Sequence, residues 1–474
     1  MNESKKKAVI FTVAVTQFTM PFMFSAVGIT LPVMGMEFGA SGLDLSLVES
    51  IYIGSVAALL LPFGRLADMH GRQPMFRLGV LLYAITTFLL GFAHNIETVI
   101  LLRMAQGISG GMGIATNMAL LTDSVPKEER GRAMGLAVAA VYVGLSAGPY
   151  VGGLVTTHLG WRWLFWLGMI PLGISYIVAH LNLESRFRAS AEKFDYFGSV
   201  VVALSVAAIV FGGTSLGSGW FGPLLLIAGI LGFGLFVYMQ NRSASPLIEL
   251  TIFKERLDFS DAALVQFINY AGTFGIVFLF SLYLQSVKGF SPHDAGLVLV
   301  VQPIVQALLS PPCGRLADRF SPRLLALLGM LACTVGTIMG ALVTADTDIS
   351  YLYVMFVVLG IGFSLFSSPN MMILMCSVPP SRFGFASSVA GGLRTLGMVF
   401  SMVIIAVCIS TIMGNAPVTP ESAAGYLSVM HISLITLSGL CVVAVLLSIR
   451  SLLRKSSVAK ETLCVQSAGN SEEG

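Results

Sequence analysis

Four charged residues stand out by position. Arg103 and Arg394 lie inside long apolar runs, Glu49 falls near the start of one, and Asp123 falls near the end of another. A charge held away from water is costly, so an ionisable group at such a place is a functional residue by default. A carboxylate in a low-dielectric cavity can load and release a proton. Each residue also has a plainer reading. Arg103 can cap backbone carbonyls or snorkel to the interface, Glu49 can be interfacial and solvated, and Asp123 can pair with loop arginines. Uncharged polar groups within the runs, Asn117, Gln266, Asn269, Gln302, Gln306 and Asn370, together with Gln17, could orient a ligand. Other chemistry lacks its residues. The six cysteines, Cys313, Cys333, Cys376, Cys408, Cys441 and Cys464, form no CxxC pair and read as buried small hydrophobes. The six histidines are scattered without HExxH, and the absence of any Gly-Lys dipeptide excludes a Walker A loop. No metal, cofactor or nucleic-acid partner is expected, and no ATP-driven or enzymatic role.

The elements that carry these residues are membrane spans. Of 474 residues, 55% are hydrophobic and only 11% charged, against roughly 25% charged in a soluble chain. A spanning helix needs about 20 mostly apolar residues. Fourteen such runs centre near Val15, Ala57, Thr86, Gly107, Leu145, Met169, Ala207, Gly229, Gly275, Val301, Cys333, Leu359, Val403 and Leu440. They are continuous rather than alternating, which excludes a β-barrel. The first run is too long for a cleaved signal peptide. Charge alternates across the connections: 23 of the 27 basic residues fall in one set, from Lys5 to Lys460, and only Arg162 and Lys288 in the other. The positive-inside rule then places both termini in the cytoplasm. No organelle-targeting segment or glycosylated loop is evident, which points to a bacterial or archaeal plasma membrane.

The chain also repeats itself. Gly64-Arg65-Leu66-Ala67-Asp68 recurs as Gly314-Arg315-Leu316-Ala317-Asp318, and residues 107–133 match residues 360–386 at ten of 27 positions without a gap. Spans one to six therefore correspond to spans nine to fourteen. The expected architecture is an all-α membrane protein of two pseudo-symmetric six-helix bundles with two inserted central helices. Its parts are an N-terminal bundle over residues 1–185, a linker with the extra helices over 186–258, a C-terminal bundle over 259–452, and a disordered cytoplasmic tail over 453–474.

Motifs and repeat together resemble the major facilitator superfamily, and within it the fourteen-helix drug:proton antiporter branch, over about residues 8 to 450. Gly64 through Arg72 matches the family's loop G-x-L-A-D-x-x-G-R. The resemblance implies a conformational latch built from Gly64, Asp68, Gly71 and Arg72, with a weaker copy at Gly314 and Asp318. Gly64 would let helices approach, and Asp68 would pair with an arginine or a helix N-terminus. Arg103-x-x-Gln106-Gly107 resembles R-x-x-Q-G and implies a cavity-facing arginine coupled to proton movement. Gly135, Gly144, Gly148, Pro149, Gly152 and Gly153 match the glycine-proline pattern associated with antiport, a kinked and closely packed helix that serves as pivot. Trp161-Arg162-Trp163, Asp195-x-x-Gly198, the Pro246 to Phe253 linker and Arg394-Thr395-Leu396-Gly397 are further matches.

One departure matters. The branch usually carries an aspartate in span one, but this span has no acid, and Met23 or its neighbours occupy the place. The proton carrier must lie elsewhere, and Glu49 and Asp123 are the remaining candidates beside Arg103. The 23 Met and 31 Phe suit an adaptable apolar cavity. The scarcity of acids disfavours a dicationic substrate and suits a lipophilic neutral or monocationic one, with Gln17, Asn117, Gln266, Asn269, Gln302, Gln306, Asn370 and Arg394 as cavity residues. The reading is a monomeric secondary exporter of lipophilic compounds, working by alternating access in a lipid bilayer with protons and the substrate as its partners. The alternative is an exporter dedicated to one metabolite, antibiotic or lipid. A first test is topological. In Arg65→Cys and Arg315→Cys variants, an impermeant thiol reagent should label both positions from the cytoplasmic face only, and labelling from opposite faces would refute the repeat.

Overall fold

The computed structural model describes residues 3–183, 194–216, 219–243, 247, 250–379 and 382–454. Residues 184–193, 217–218, 244–246 and 248–249, which fall in or beside the linker expected over 186–258, and residues 455–474 of the expected tail, lie outside the described residues.

Among the described residues fourteen helices are long and apolar enough to cross a membrane, one on each expected run. They are α1 (Glu3–Phe38), α2 (Gly42–His70), α3 (Arg72–Leu90), α4 (Ile96–Ser124), α5 (Lys127–His158), α6 (Trp161–Asn182), α7 (Tyr196–Thr214) and α8 (Phe221–Gln240). The second series is α9 (Leu257–Val287), α10 (Pro292–Ala317), α11 (Pro322–Ala341), α12 (Ile349–Cys376), α13 (Phe383–Ile412) and α14 (Ala423–Leu453). Among the described residues the only β pairing is the isolated bridge Ser41–Pro417. Boundaries follow local chemistry. Gly71, at φ +105°, breaks α2 from α3 in a backbone region closed to most side chains. Asn95 caps α4 by accepting from the Thr98 amide at 2.8 Å. Four cysteines, Cys313, Cys333, Cys408 and Cys441, are free and buried as expected. Cys376 departs from that expectation, being disulfide-bonded.

The repeat extends to packing. A Cβ at Gly107 would strike the Tyr52 carbonyl, and one at the matching Gly360 would strike the Gln302 carbonyl. Gly144 likewise meets the Phe18 carbonyl, and Gly397 the Phe267 carbonyl. Small residues thus set the same helix-to-helix approach in both halves. The inserted pair α7–α8 has no counterpart. It leans on both halves, with Gly54 of α2 against Val210 and Gly213 against Val403 of α13.

The two halves are joined at one end. At the end remote from the termini, one apolar core draws on both: Met23, Val27 and Phe165 pack in a single cluster with Leu279, Phe356 and Ile409. At the terminal end the cores stay apart. Val9, Phe76, Leu121 and Ala137 form one, and Phe259, Leu374 and Ala386 another. The bundle is therefore a wedge, sealed at the far end and open toward the termini.

Prolines supply part of the far seam. A proline in a helix frees the carbonyl four residues before it, and in a membrane that carbonyl needs a partner. Pro149 of α5 frees Leu145, whose carbonyl accepts from the Ser25 hydroxyl of α1 at 3.0 Å. Pro32 of α1 frees Gly28, and its carbonyl accepts from the Ser281 hydroxyl of α9, in the other half, at 2.7 Å. The neighbouring Ile29 carbonyl accepts from Gln285 Nε2 at 3.0 Å. Beside them α5 and α10 meet backbone to backbone. Gly153 faces the Pro292 carbonyl, Gly296 faces the Pro149 carbonyl, and the His293 amide donates to Thr157 Oγ1 at 3.2 Å.

Two hydrogen bonds of about 1 kcal/mol each hold the α1–α9 contact. Removing both with Ser281→Ala/Gln285→Ala should raise the open-seam population by roughly thirtyfold. A cysteine reporter at the buried Ala295→Cys position should then react faster with an impermeant thiol reagent, by a similar factor. An unchanged rate would mean that these bonds do not hold the seam.

Candidate functional site

The structure brings two of the three expected proton residues together and leaves the third elsewhere. Arg103 of α4 is 0% exposed at its side chain and Glu49 of α2 is 4% exposed, with Nη2 and Oε2 3.6 Å apart. The pair is loose. Neither Glu49 oxygen has a hydrogen-bond partner, and Arg103 Nη2 has none. The rest of the guanidinium is held. Nη1 donates to Gln106 Oε1 at 2.8 Å, Nε donates to the Val48 carbonyl at 3.4 Å, and the ring of Tyr52 lies 4.2 Å beneath Cζ. Gln106 Nε2 in turn donates to Thr87 Oγ1 of α3 at 2.8 Å, and the Tyr52 and Tyr83 hydroxyls sit 3.4 Å apart. The expected capping contact of Arg103 is therefore present, but it uses one nitrogen and leaves another aimed at the carboxylate.

This arrangement pins the arginine and leaves the carboxylate free to change state. A carboxylate with no hydrogen bond can take up a proton without breaking one, and only the Arg103 charge opposes the change. Glu49 also touches the seam, since a Cβ on Gly28 would lie 3.7 Å from Oε1. Gly28 is the residue whose carbonyl Ser281 holds across the halves. The titratable group and the far closure thus share one residue of α1.

At the corresponding place the second half has no such pair. Under the repeat, Glu49 corresponds to Leu299, Arg103 to Phe356 and Gln106 to Leu359. All three are buried in the shared apolar core. The same fold packs this place with hydrocarbon, so the buried charges are not needed to build it.

Asp123 lies at the terminal end and is 54% exposed, with Arg72 Nη1 on both of its oxygens at 2.9 Å. Arg72 also bonds Asp68 at 2.8 Å. Asp123 therefore joins the Gly64–Arg72 loop, which links α2, α3 and α4 within one half. A Cβ at Gly64 would meet nothing within 4 Å, so the close approach expected there is not made in this conformation. Gly135, at the same end of α5, is equally unopposed, whereas Gly144, Gly148 and Gly152 pack on α1 and Gly153 on α10. In the second copy Gly314 faces Ser368 Oγ at 3.6 Å, and the Asp318 side chain lies outside those described.

The polar cavity candidates fall into matched sets. Asn117 Nδ2 donates to Gln17 Oε1 at 3.0 Å, and its repeat partner Asn370 donates to Gln266 Oε1 at 2.8 Å. Each pair ties the fourth helix of a half to its first. Asn269 Oδ1 and Gln302 Oε1 are buried without a partner, while the Gln306 side chain is half-buried. Arg394 of α13 is exposed, within electrostatic reach of the Tyr270 phenol of α9. Among the described residues no group of three or more His, Cys, Asp or Glu could hold a metal.

Sequence reasoning missed Tyr52, Thr87, Ser281 and Gln285. Pro32 marks Gly28 as a carbonyl in need of a donor, which is a usable signal, but nothing in the sequence names Ser281 as that donor. Thr87 and Tyr52 carry no signal apart from the company they keep in space.

The family model described as Major Facilitator Superfamily matches residues 13–193 and 262–463. The riboflavin transporter RibZ of Clostridioides difficile is 27% identical over 83% of this chain and 86% of its own length. The multidrug resistance protein Stp of Mycobacterium tuberculosis is 27% identical over 80% of this chain and 71% of its own. In structure, a bacterial homologue of the human lysosomal transporter Spinster, crystallised inward-facing and unoccupied, superimposes with a TM-score of 0.71. It is 15% identical and covers 95% of this chain and 97% of that one, which establishes the shared fold.

Removing one member of a buried pair leaves the other uncompensated, at a cost of about 3–5 kcal/mol. Glu49→Leu and Arg103→Phe should each lower the melting temperature in detergent. The double variant, which copies Leu299 and Phe356, should recover most of the loss. A double variant no more stable than the weaker single one would show that the pair is structural.

Proposed function

The chain belongs to the Major Facilitator Superfamily, and on that premise we propose that it exports small lipophilic compounds across the plasma membrane in exchange for protons. The observation that carries this reading is the Glu49–Arg103 pair: buried, loose, confined to one half and lodged against Gly28 of the far seam. The basic connections support cytoplasmic termini, so the described wedge opens toward the cytoplasm and its sealed end faces outside. One chain holds both halves and the whole site, so a monomer suffices.

The exchange then follows from differential stability. A proton arriving at Glu49 from outside cancels its attraction for Arg103, and its loss restores that attraction. The two forms of Glu49 press differently on Gly28, whose carbonyl is one half of the seam bond. Any such difference shifts the balance between far-closed and far-open states by its own free energy. The Asp68–Arg72–Asp123 cluster is the second element of this reading, a latch for the terminal end. Its members already sit together and need only meet the other half when that end closes. Exposed ion pairs of this kind are worth about 1 kcal/mol or less, which suits a latch that must open in every cycle.

Two readings of the substrate remain in play. Similarity to a multidrug resistance protein supports a broad range of lipophilic compounds. Similarity to a riboflavin transporter over most of both chains supports a single metabolite. Sensitivity profiling of a deletion strain separates them: many unrelated sensitivities mean broad export, and one or none means a dedicated exporter.

The decisive measurement is flux in proteoliposomes under an imposed pH gradient. The wild-type protein should concentrate substrate against its gradient. Glu49→Gln should abolish that concentration while sparing substrate-for-substrate exchange. Asp123→Asn should keep coupling and lower only the rate. Gradient-driven accumulation that survives Glu49→Gln would refute Glu49 as the proton carrier.

A further inference from the structure

Arg394 is the feature that neither the proton site nor the latch accounts for. It lies on the twelfth residue of α13, about 17 Å in from the terminal end at 1.5 Å per residue. A guanidinium at that depth is costly in hydrocarbon, so an arginine there faces the bundle interior or a water-filled cavity in almost every case. Its surroundings place that water in the cleft between the halves. The phenol of Tyr270 on α9 lies within electrostatic reach of Arg394 and of Tyr142 on α5, in the opposite half. One turn closer to the terminal end, Gly391 and Gly392 face nothing within 4 Å. The arginine therefore stands on the wall of an open cleft.

Its charge is uncompensated. Among the described residues Arg394 makes no salt bridge, and the acids of the helices packed on α13 are all engaged. Asp258 and Asp261 of α9 bind Arg323, Arg450 and Arg454. On α2, Glu49 faces Arg103, Asp68 binds Arg72, and Asp44 closes the capping box with Ser41. The Asp348 carboxylate caps the start of α12. The middle of the cleft thus holds a cation without a counter-ion near the Tyr270 phenol, whose ring lies 6.0 Å from that of the buried Phe363.

We infer that Arg394 is the headgroup contact of the central site, and that the site takes lipophilic anions, aromatic weak acids with a carboxylate or phenolate, in preference to lipophilic cations. The inference rests on the exporter reading and narrows it. It also replaces the expectation of a neutral or monocationic substrate with its opposite in charge. The physical ground is that a guanidinium in a low-dielectric cleft binds an oxyanion by charge-assisted, bidentate hydrogen bonds and repels an ammonium at the same place. The Tyr270 ring, backed by Phe363, supplies a flat aromatic face for the ring system.

The test uses the full chain in detergent and three matched probes: 1-pyrenebutyrate, its methyl ester, and a pyrenylbutyl trimethylammonium salt. Binding is followed by energy transfer from tryptophan to pyrene. The carboxylate should bind at least tenfold more tightly than the ester, and the ammonium most weakly. Arg394→Gln should erase the carboxylate advantage while changing ester binding less than twofold, and Arg394→Lys should keep part of it. A wild-type protein that binds the ammonium as tightly as the carboxylate overturns the inference. So does an Arg394→Gln variant that keeps the carboxylate preference. If Arg394→Gln binds no probe, the Lys variant decides: retained preference supports the inference and lost preference overturns it. Binding needs no gradient, so the two readings fail separately. Headgroup preference without proton-driven flux would sink the exporter reading, and proton-driven flux without headgroup preference would sink only this one.

Discussion

The bond between the Ser281 hydroxyl and the Gly28 carbonyl is the point on which the far seam and the proposed proton site both bear. It exists because Pro32 withholds an amide from that carbonyl, and a membrane offers no water to replace it. The carbonyl must be answered by another helix, and the helix that answers belongs to the other half. Gly28 also has no side chain, which leaves room for Glu49 to come close. One backbone group therefore serves as a tie between halves and as the floor of a titratable site. A larger residue at position 28 would crowd the carboxylate and the seam together.

Duplication explains how such a site arises at little cost to the fold. Both halves use the same glycine-on-carbonyl approaches and the same Asn-to-Gln tie between first and fourth helices. Against that shared frame the differences carry the meaning. Where the second half places Leu299, Phe356 and Leu359, the first places Glu49, Arg103 and Gln106. A buried ion pair gives weak stability compared with the apolar residues that could replace it. Its presence in one copy only is a reason to look for its worth in a change of charge state.

Much of the fold was legible in the sequence because each span must satisfy a membrane by itself. Twenty apolar residues in a row mean a helix whatever surrounds them, so all fourteen runs were readable, and so was the repeat. What two helices do to each other was less so. Glu49 and Arg103 are far apart in sequence, and nothing in either run says that one faces the other. The reading that Asp123 pairs with a loop arginine was open beside the proton reading, and only geometry puts Arg72 on its carboxylate. Gly64 shows a different limit. Its motif implies close approach, but a sequence does not say in which conformation, and here the terminal end stands open.

The division of charge within the wedge follows from electrostatics in a low dielectric. Deep in the spans the chain places one carboxylate and two arginines, Glu49, Arg103 and Arg394. Glu49 and Arg103 face each other, so protonating Glu49 turns a balanced pair into a single buried cation. Arg394 is already a cation without a partner, so the proton-loaded interior carries two positive charges and no negative one. An anion in the cleft is then the most effective means of lowering that energy, and releasing the proton reduces the need for it. Proton and anion would assist each other at equilibrium if both bound the same state, whereas exchange requires that they favour different ones. In the proposed exchange the far seam supplies that difference: Glu49 loads from the outside, and Arg394 is open to the terminal cleft while the seam is shut. Geometry that exposes the two groups to opposite sides turns attraction between their ligands into alternation.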